Sequence, residues 1–228
     1  MASISSLVSE MAHSVGMPNN KALRENIKVI ILQTRNEVIR RSYENHSYVD
    51  RVLTQRFRVS LTDVNDGDIN ISSDLTPINI SKIKRTEQLV PRPVRLVNNL
   101  PFDRVSTVGY KNNREIPFIK ETTARFTNKL PGMCGMPRYD YINGYIYIFP
   151  VDGKPFMGKQ IIIEGAFEHP NPIDIQNGVA SNWDVLMDEN EFLLSEDMIG
   201  QIKEIIYKRD LLNNVRETNE HSINTKII

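Results

Sequence analysis

Residues 141–165 read YINGYIYIFPVDGKPFMGKQIIIEG. Two runs of β-branched and aromatic residues, YIYIF at 145–149 and III at 161–163, flank a stretch holding two glycines and two prolines. Within that stretch GKPFMGKQ, 153–160, falls one residue short of the phosphate-binding pattern G-x-x-x-x-G-K-[ST]. Such a loop wraps phosphates with backbone N–H groups and needs a helix directly after the lysine, so that the helix N-terminus faces the anion. Here Gln160 stands where Ser or Thr should reach a magnesium ion, and three isoleucines follow. Consecutive β-branched residues predict a strand. The segment is therefore predicted as VDGKPFMGK, a hairpin loop joining two strands, with a second tight turn at Asn143-Gly144 inside the first apolar run. No nucleotide is expected.

The surrounding chain supports a β region. Pro91, Pro93, Pro101, Pro117, Pro131, Pro137, Pro150 and Pro155 punctuate residues 82–172, a density that excludes long helices. Short apolar runs recur roughly every 8–12 residues. They predict strands at 82–89, 93–97, 104–109, 116–119, 122–127, 139–149 and 160–168. Earlier, Leu53, Phe57, Val59 and Leu61 share one alternating face with Gln55, while Arg56, Arg58, Ser60 and Thr62 take the other, so a half-exposed strand is predicted. A helix through Val49, Val52, Leu53 and Phe57 competes over its first half. Asn65 to Ser81 is rich in turn formers and reads as a loop.

Both ends are helical in pattern. Ile4, Leu7, Val8, Met11, Ala12 and Val15 hold helical spacing, with Gly16 and Pro18 beyond. Asn19 or Asn20 can cap a second helix carrying Leu23, Ile27, Ile30, Ile31, Thr34 and Val38 on one face and ending near 41–45. Near the C-terminus Ser195 can cap a third helix, with Glu196 and Asp197 in its first turn and Met198, Ile199, Ile202, Ile205, Ile206 and Leu212 along one face. The polar run 213–228 reads as an extended or flexible tail. The fold class expected is α+β, an antiparallel β sandwich or barrel inserted between N-terminal helices and a C-terminal helix. The divisions are 1–47, 48–180, 181–212 and a tail at 213–228.

Composition narrows the function. The chain has 228 residues, a formal net charge of zero and one cysteine, Cys134. A neutral chain has no overall attraction to nucleic acid or an anionic membrane. One cysteine allows no internal disulfide and no multi-cysteine zinc site. The N-terminus lacks the basic and long apolar regions of a secretory signal, and its apolar runs are too short to span a bilayer. His13, His46, His169 and His221 form no metal-binding spacing, and no metal or other cofactor is implied. A small enzyme with a site assembled from unlinked residues, such as Cys134 and His169, is the remaining rival, and no G-x-S-x-G occurs.

Charge distribution says more. Residues 21–58 hold nine basic side chains (Lys21, Arg24, Lys28, Arg35, Arg40, Arg41, Arg51, Arg56, Arg58) against four acidic ones. Residues 183–220 hold ten acidic against four basic. Either these are solvated faces that differ, or the basic and acidic ends meet within a chain or across a head-to-tail contact between copies. Arg35, Arg40 and Arg41 facing Glu196, Asp197 and Glu204 are the candidate inter-subunit contacts. An alternative uses Arg35, Arg40, Arg41, Arg51, Arg56 and Arg58 on nucleic acid, which steep salt dependence would reveal.

The order of elements, with the phrases INGYIYIFP, IIIEGAFEHP and LSEDMIGQIKEIIYKRDL, resembles the head-to-tail connector proteins of short-tailed bacteriophages, and most of all the ring proteins of crAss-like phages. The resemblance spans nearly the whole chain. It implies a non-enzymatic virion protein, formed in the host cytoplasm and assembled as a ring, usually of twelve copies, in the portal–tail connector. The helices would build the ring wall and the β domain would project toward other connector or tail proteins. DNA would pass through the lumen without sequence readout. The tail, with Ile223, Ile227 and Ile228, would dock on the portal protein and order only on assembly.

Overall fold

The computed structural model describes residues 3–64, 82–96, 98, 100–108, 114–120, 123, 136–149, 156–169, 194 and 196–208. Within these the chain forms α1 (Ile4–Ser14), α2 (Lys21–His46), β1 (Gln55–Asp63), β2 (Lys84–Thr86), β3 (Arg104–Thr107), β4 (Arg138–Ile142), β5 (Tyr145–Phe149), β6 (Gln160–Gly165) and α3 (Glu196–Ile206). The three helices belong to one compact unit and the six strands to another, with the first crossing of the boundary between Leu53 and Thr54. This is a mixed α+β fold.

In the β unit all neighbouring strands are antiparallel, in the order β3-β6-β1-β2-β5-β4. β1 is the hinge of the sheet. Its first six residues pair with β6, from Gln55↔Gly165 to Ser60↔Gln160, and its last three pair with β2. The predicted alternation holds, with Phe57 and Val59 buried and Arg56 and Arg58 exposed. A short 3-10 turn at Arg51–Leu53, rather than a helix, leads into it.

The sheet curls, and residues 114–119 tie its two edges. Thr107 N–H donates to Arg114 O and Ile116 N–H to Val105 O on the β3 side; Ile119 N–H donates to Tyr139 O and Tyr139 N–H to Pro117 O on the β4 side. Both outer strands thereby gain backbone partners, which removes open edges that would otherwise invite pairing with other chains. The predicted strand at 116–119 is thus a bridging segment. Similarly, the run predicted at 93–97 contributes a single bridge, Pro93↔Phe167.

Curling encloses a core of Phe57, Val59, Phe102, Val105, Ile116, Tyr139, Ile146, Ile148, Ile161, Ile163 and Phe167. Phe102 anchors it, packing edge-on against Tyr141 at 5.2 Å between ring centres. The opposite face of β5 is buried too, through Tyr147 and Phe149 with Val64 and Ile83. This explains why YIYIF is apolar throughout rather than alternating.

Asn143 (φ 49°) and Gly144 (φ 85°) make the predicted turn between β4 and β5. Two successive positive φ values match a turn whose twist suits a hairpin. The second expected hairpin is not formed. β5 pairs with β2 and β4, β6 pairs with β1 and β3, and two strands separate them. Adjacency in sequence suggested the pairing, but the connection of about ten residues exceeds the 2–5 typical of hairpins and leaves room for β1 and β2 between.

Candidate assembly surfaces

The helical unit is built from three apolar stripes. α1 starts at Ser3, whose Oγ accepts from Ser6 N–H, and buries Ile4, Leu7, Val8, Met11 and Ala12. It stops at Gly16 (φ 77°), where Gly16 N–H reaches His13 O and Met17 N–H reaches Ala12 O. That paired closure needs a left-handed residue, which glycine supplies without steric cost. Asn20 caps α2 by accepting from Leu23 N–H at 3.1 Å. α2 buries Ile27, Ile31, Leu32, Thr34, Arg35, Val38 and Ile39. On α3 the stripe is Met198, Ile202 and Ile206, with Ile199 and Ile205 half-buried. Polar contacts close the seams. Arg24 donates to Ser9 Oγ and Pro18 O, Lys203 Nζ lies 2.6 Å from Glu10 Oε1, and Tyr207 OH donates to Ser14 Oγ.

Against this frame the six predicted contact residues separate. Arg35 is 0% exposed, it donates to Asn36 Oδ1, and burial pushes its guanidinium down to about 10. It occupies the stripe Ile27, Ile31, Arg35, Ile39, each four residues from the next. That position was available as a signal and marks a core side chain. Arg40 and Arg41 are exposed on the final turns of α2, where Arg41 pairs with Glu37 at 2.6 Å. Glu196 and Asp197 open α3, in the first turn where carboxylates favour the helix dipole. Glu204 is exposed, and the hydrogen bond from Lys208 holds its carboxyl below the usual range. The ion pair joining α3 to α1 uses a lysine of the acidic segment and Glu10, which lies outside the basic run 21–58. Ile223, Ile227 and Ile228 lie outside the described residues, as do Ser195, Leu212, the loop at 65–81, most of 122–127, Cys134 and His221.

The β unit carries a second charged surface that residue order alone conceals. Arg56 on β1 is in register with Glu164 on β6, which is in register with Arg104 on β3. Arg58 follows Arg56 on the same exposed face. The arginines read as one basic run with α2 are thus divided between the two units.

The phosphate-loop question is closed by the strand itself. Residues 160–165 after Lys159 are β6, so no helix N-terminus is presented to an anion there. His169 is exposed. Among the described residues no cluster of three or more His, Cys, Asp or Glu is arranged to hold a metal ion, and no helix is long and apolar enough to cross a membrane.

The family model described as phage tail ring protein 2, of the crAss ring group, matches residues 4–226. No curated protein matches the chain.

Proposed function

The chain belongs to the phage tail ring protein 2 family, a structural component of the virion, and on that premise we propose that identical copies close into a ring, of twelve subunits, in the portal–tail connector. Its role is assembly, without catalysis. Charged positions on the helical unit meet across the interface, with Arg40 and Arg41 of one copy facing Glu196, Asp197 and Glu204 of the next. A head-to-tail contact of this kind closes when the rotation per subunit divides the circle. Complementary charge then sets register and suppresses wrong partners more than it supplies affinity. The tail bearing Ile223, Ile227 and Ile228 docks on the portal protein, and DNA passes through the lumen during packaging and ejection without base-specific contacts.

The observation that carries this reading is the extent of the family match, which spans the helical and β units together. Imaging of the virion tests it. An annulus of this chain between portal and tail supports the assignment, and its symmetry gives the copy number. Density for the chain outside any annulus refutes it.

A further inference from the structure

We propose that the outward side of α2 packs across Gly200 of α3 in the next copy, so that a close helix–helix crossing forms the centre of the ring contact. This deepens the ring reading above and rests on it. On α2, Ala22, Asn26, Val29 and Gln33 are all exposed. Their spacing of four, three and four residues sets them in one seam along the helix. The seam lies opposite the buried Ile27, Ile31 and Val38, and it is uncharged although Lys21, Arg24, Glu25 and Lys28 flank it. Val29, near its middle, is 52% exposed. A single exposed valine is ordinary, but a helix face meant only for water would carry the charges that flank this seam. On α3, Gly200 is exposed in the interior of an 11-residue helix. Glycine weakens a helix interior, and nothing in the described chain calls for it here. Its φ is not positive, and among the described residues a Cβ at this position would have no atom within 4 Å. A missing side chain on an outward helix face lets a second helix approach at the short end of the usual spacing of about 8–10 Å between axes.

The residues beside each feature choose this partner. Arg40 continues the α2 seam, seven residues beyond Gln33, and is exposed. Glu204 is exposed one turn beyond Gly200 on the same side of α3, where it accepts a hydrogen bond from Lys208. With Gln33 level with Gly200 in a parallel crossing, Arg40 stands about 10 Å and Glu204 about 6 Å along the axes, a difference that a long arginine stem bridges. The seam packed on the same seam of a second copy sets Arg40 against Arg40 in a parallel pair or against Ala22 in an antiparallel one, and leaves Gly200 unexplained in both. The two features also lie on opposite sides of the helical unit. α2 packs against both α1 and α3, and α2 and α3 each turn a buried stripe inward. The seam of α2 and the Gly200 side of α3 therefore point away from one another. One copy can engage a neighbour on each side, as a closed ring requires.

Two measurements on the full-length chain test the crossing. The first follows self-association by mass across protein concentration, beside thermal melting, for the parent, Gly200→Leu and Val29→Glu. The parent is expected to self-associate. In the single chain Gly200→Leu enters open space and improves helix propensity, so its melting temperature should equal or exceed the parent's. The same change should weaken association about tenfold or more, because it holds the two helices apart. Val29→Glu should weaken association to a similar degree, with melting within about 2 °C of the parent. The second measurement is disulfide capture in a Cys134→Ser background. A Val29→Cys chain is mixed with a chain carrying Gln201→Cys, exposed beside Gly200, under a mild oxidant, and peptide masses identify the bond formed. A bond between positions 29 and 201 of different copies is expected. Association of Gly200→Leu equal to the parent's overturns the crossing. So does a Gly200→Leu chain that melts below the parent, which assigns the glycine to folding. A bond between two copies of position 29, in place of the one between 29 and 201, overturns it in favour of seam on seam. A parent that stays monomeric at every concentration, with no 29–201 bond, overturns the crossing as well, whereas the ring reading is judged separately by the annulus in the virion.

Discussion

Lys203 of α3 reaches Glu10 of α1, with Nζ 2.6 Å from Oε1, beside a packed seam in which Met11 is fully buried. The ion pair is the more conspicuous link and the weaker one. Both partners are partly open to water, at 28% and 54% side-chain exposure, so the pair contributes about 0.2–1 kcal/mol. Met11→Ala removes a side chain with no solvent contact and costs about 2–5 kcal/mol. Denaturant unfolding followed by helical circular dichroism should show Glu10→Gln nearly unchanged and Met11→Ala clearly shifted. A double-mutant cycle on Glu10 and Lys203 should return a coupling below about 1 kcal/mol.

Gly144 is constrained twice. Its φ of 85° disfavours any side chain, and a Cβ there would lie 2.8 Å from Leu89 Cδ2. Its carbonyl also accepts from Val90 N–H at 2.7 Å, so the turn and the 89–90 segment cannot separate freely. Gly144→Ala should therefore destabilise the β unit by about 1–2 kcal/mol from backbone conformation alone, with the clash added. Adding Leu89→Ala should return the steric part and leave the conformational part. Melting temperatures of the two single variants and the double variant separate the contributions.

Asp103 supplies a pH dependence. Desolvation, then repulsion from Glu164, raises its carboxyl from 3.8 to about 6. The folded state therefore holds the proton more tightly than the unfolded state does. Its contribution is fully present below pH 3.8 and is lost as pH rises through 6. The side chain is in contact with water, which screens the charge and keeps the effect modest. Asp103→Asn should flatten the stability profile between pH 4 and 6 and raise stability modestly at pH 7. A profile unchanged by the substitution would sink this assignment.

Local periodicity carried the helices and the first strand into view. Ile4, Leu7, Val8, Met11 and Ala12 are spaced as a helical face and are buried as one. Phe57 and Val59 alternate with Arg56 and Arg58, and the structure keeps them on opposite faces. Pairing was harder to read because it joins distant residues. Nothing near Ile163 in sequence indicates that its neighbours are Phe57 and Val105, or that Ile148 lies beside Lys84. The Arg56–Glu164–Arg104 row is hidden for the same reason, since only the register of three separate strands assembles it. At Arg35 residue type and position point in opposite directions. Its position on the Ile27–Ile39 stripe called for burial, and its charge suggested the surface.

That division between Arg35 and its neighbours yields the sharpest mutational contrast. Arg40 and Arg41 are exposed, and the bond from Arg41 to Glu37 is an i, i+4 surface pair of about 0.3–0.5 kcal/mol. Arg40→Glu with Arg41→Glu should leave the unfolding midpoint of the isolated chain within about 0.5 kcal/mol of the parent apart from that pair. If these residues face acidic side chains of the next copy, the same change should weaken self-association and its salt dependence. Arg35→Ala should behave in the opposite sense. It removes a long, fully buried stem and strands the groups packed round it, for a loss of about 2 kcal/mol or more, with any effect on assembly following from stability alone. Arg35→Met keeps most of the volume without a buried charge, and should recover much of that loss or exceed the parent. Equal effects of the Arg35 and Arg40/Arg41 changes on unfolding would contradict the burial difference on which the contrast depends.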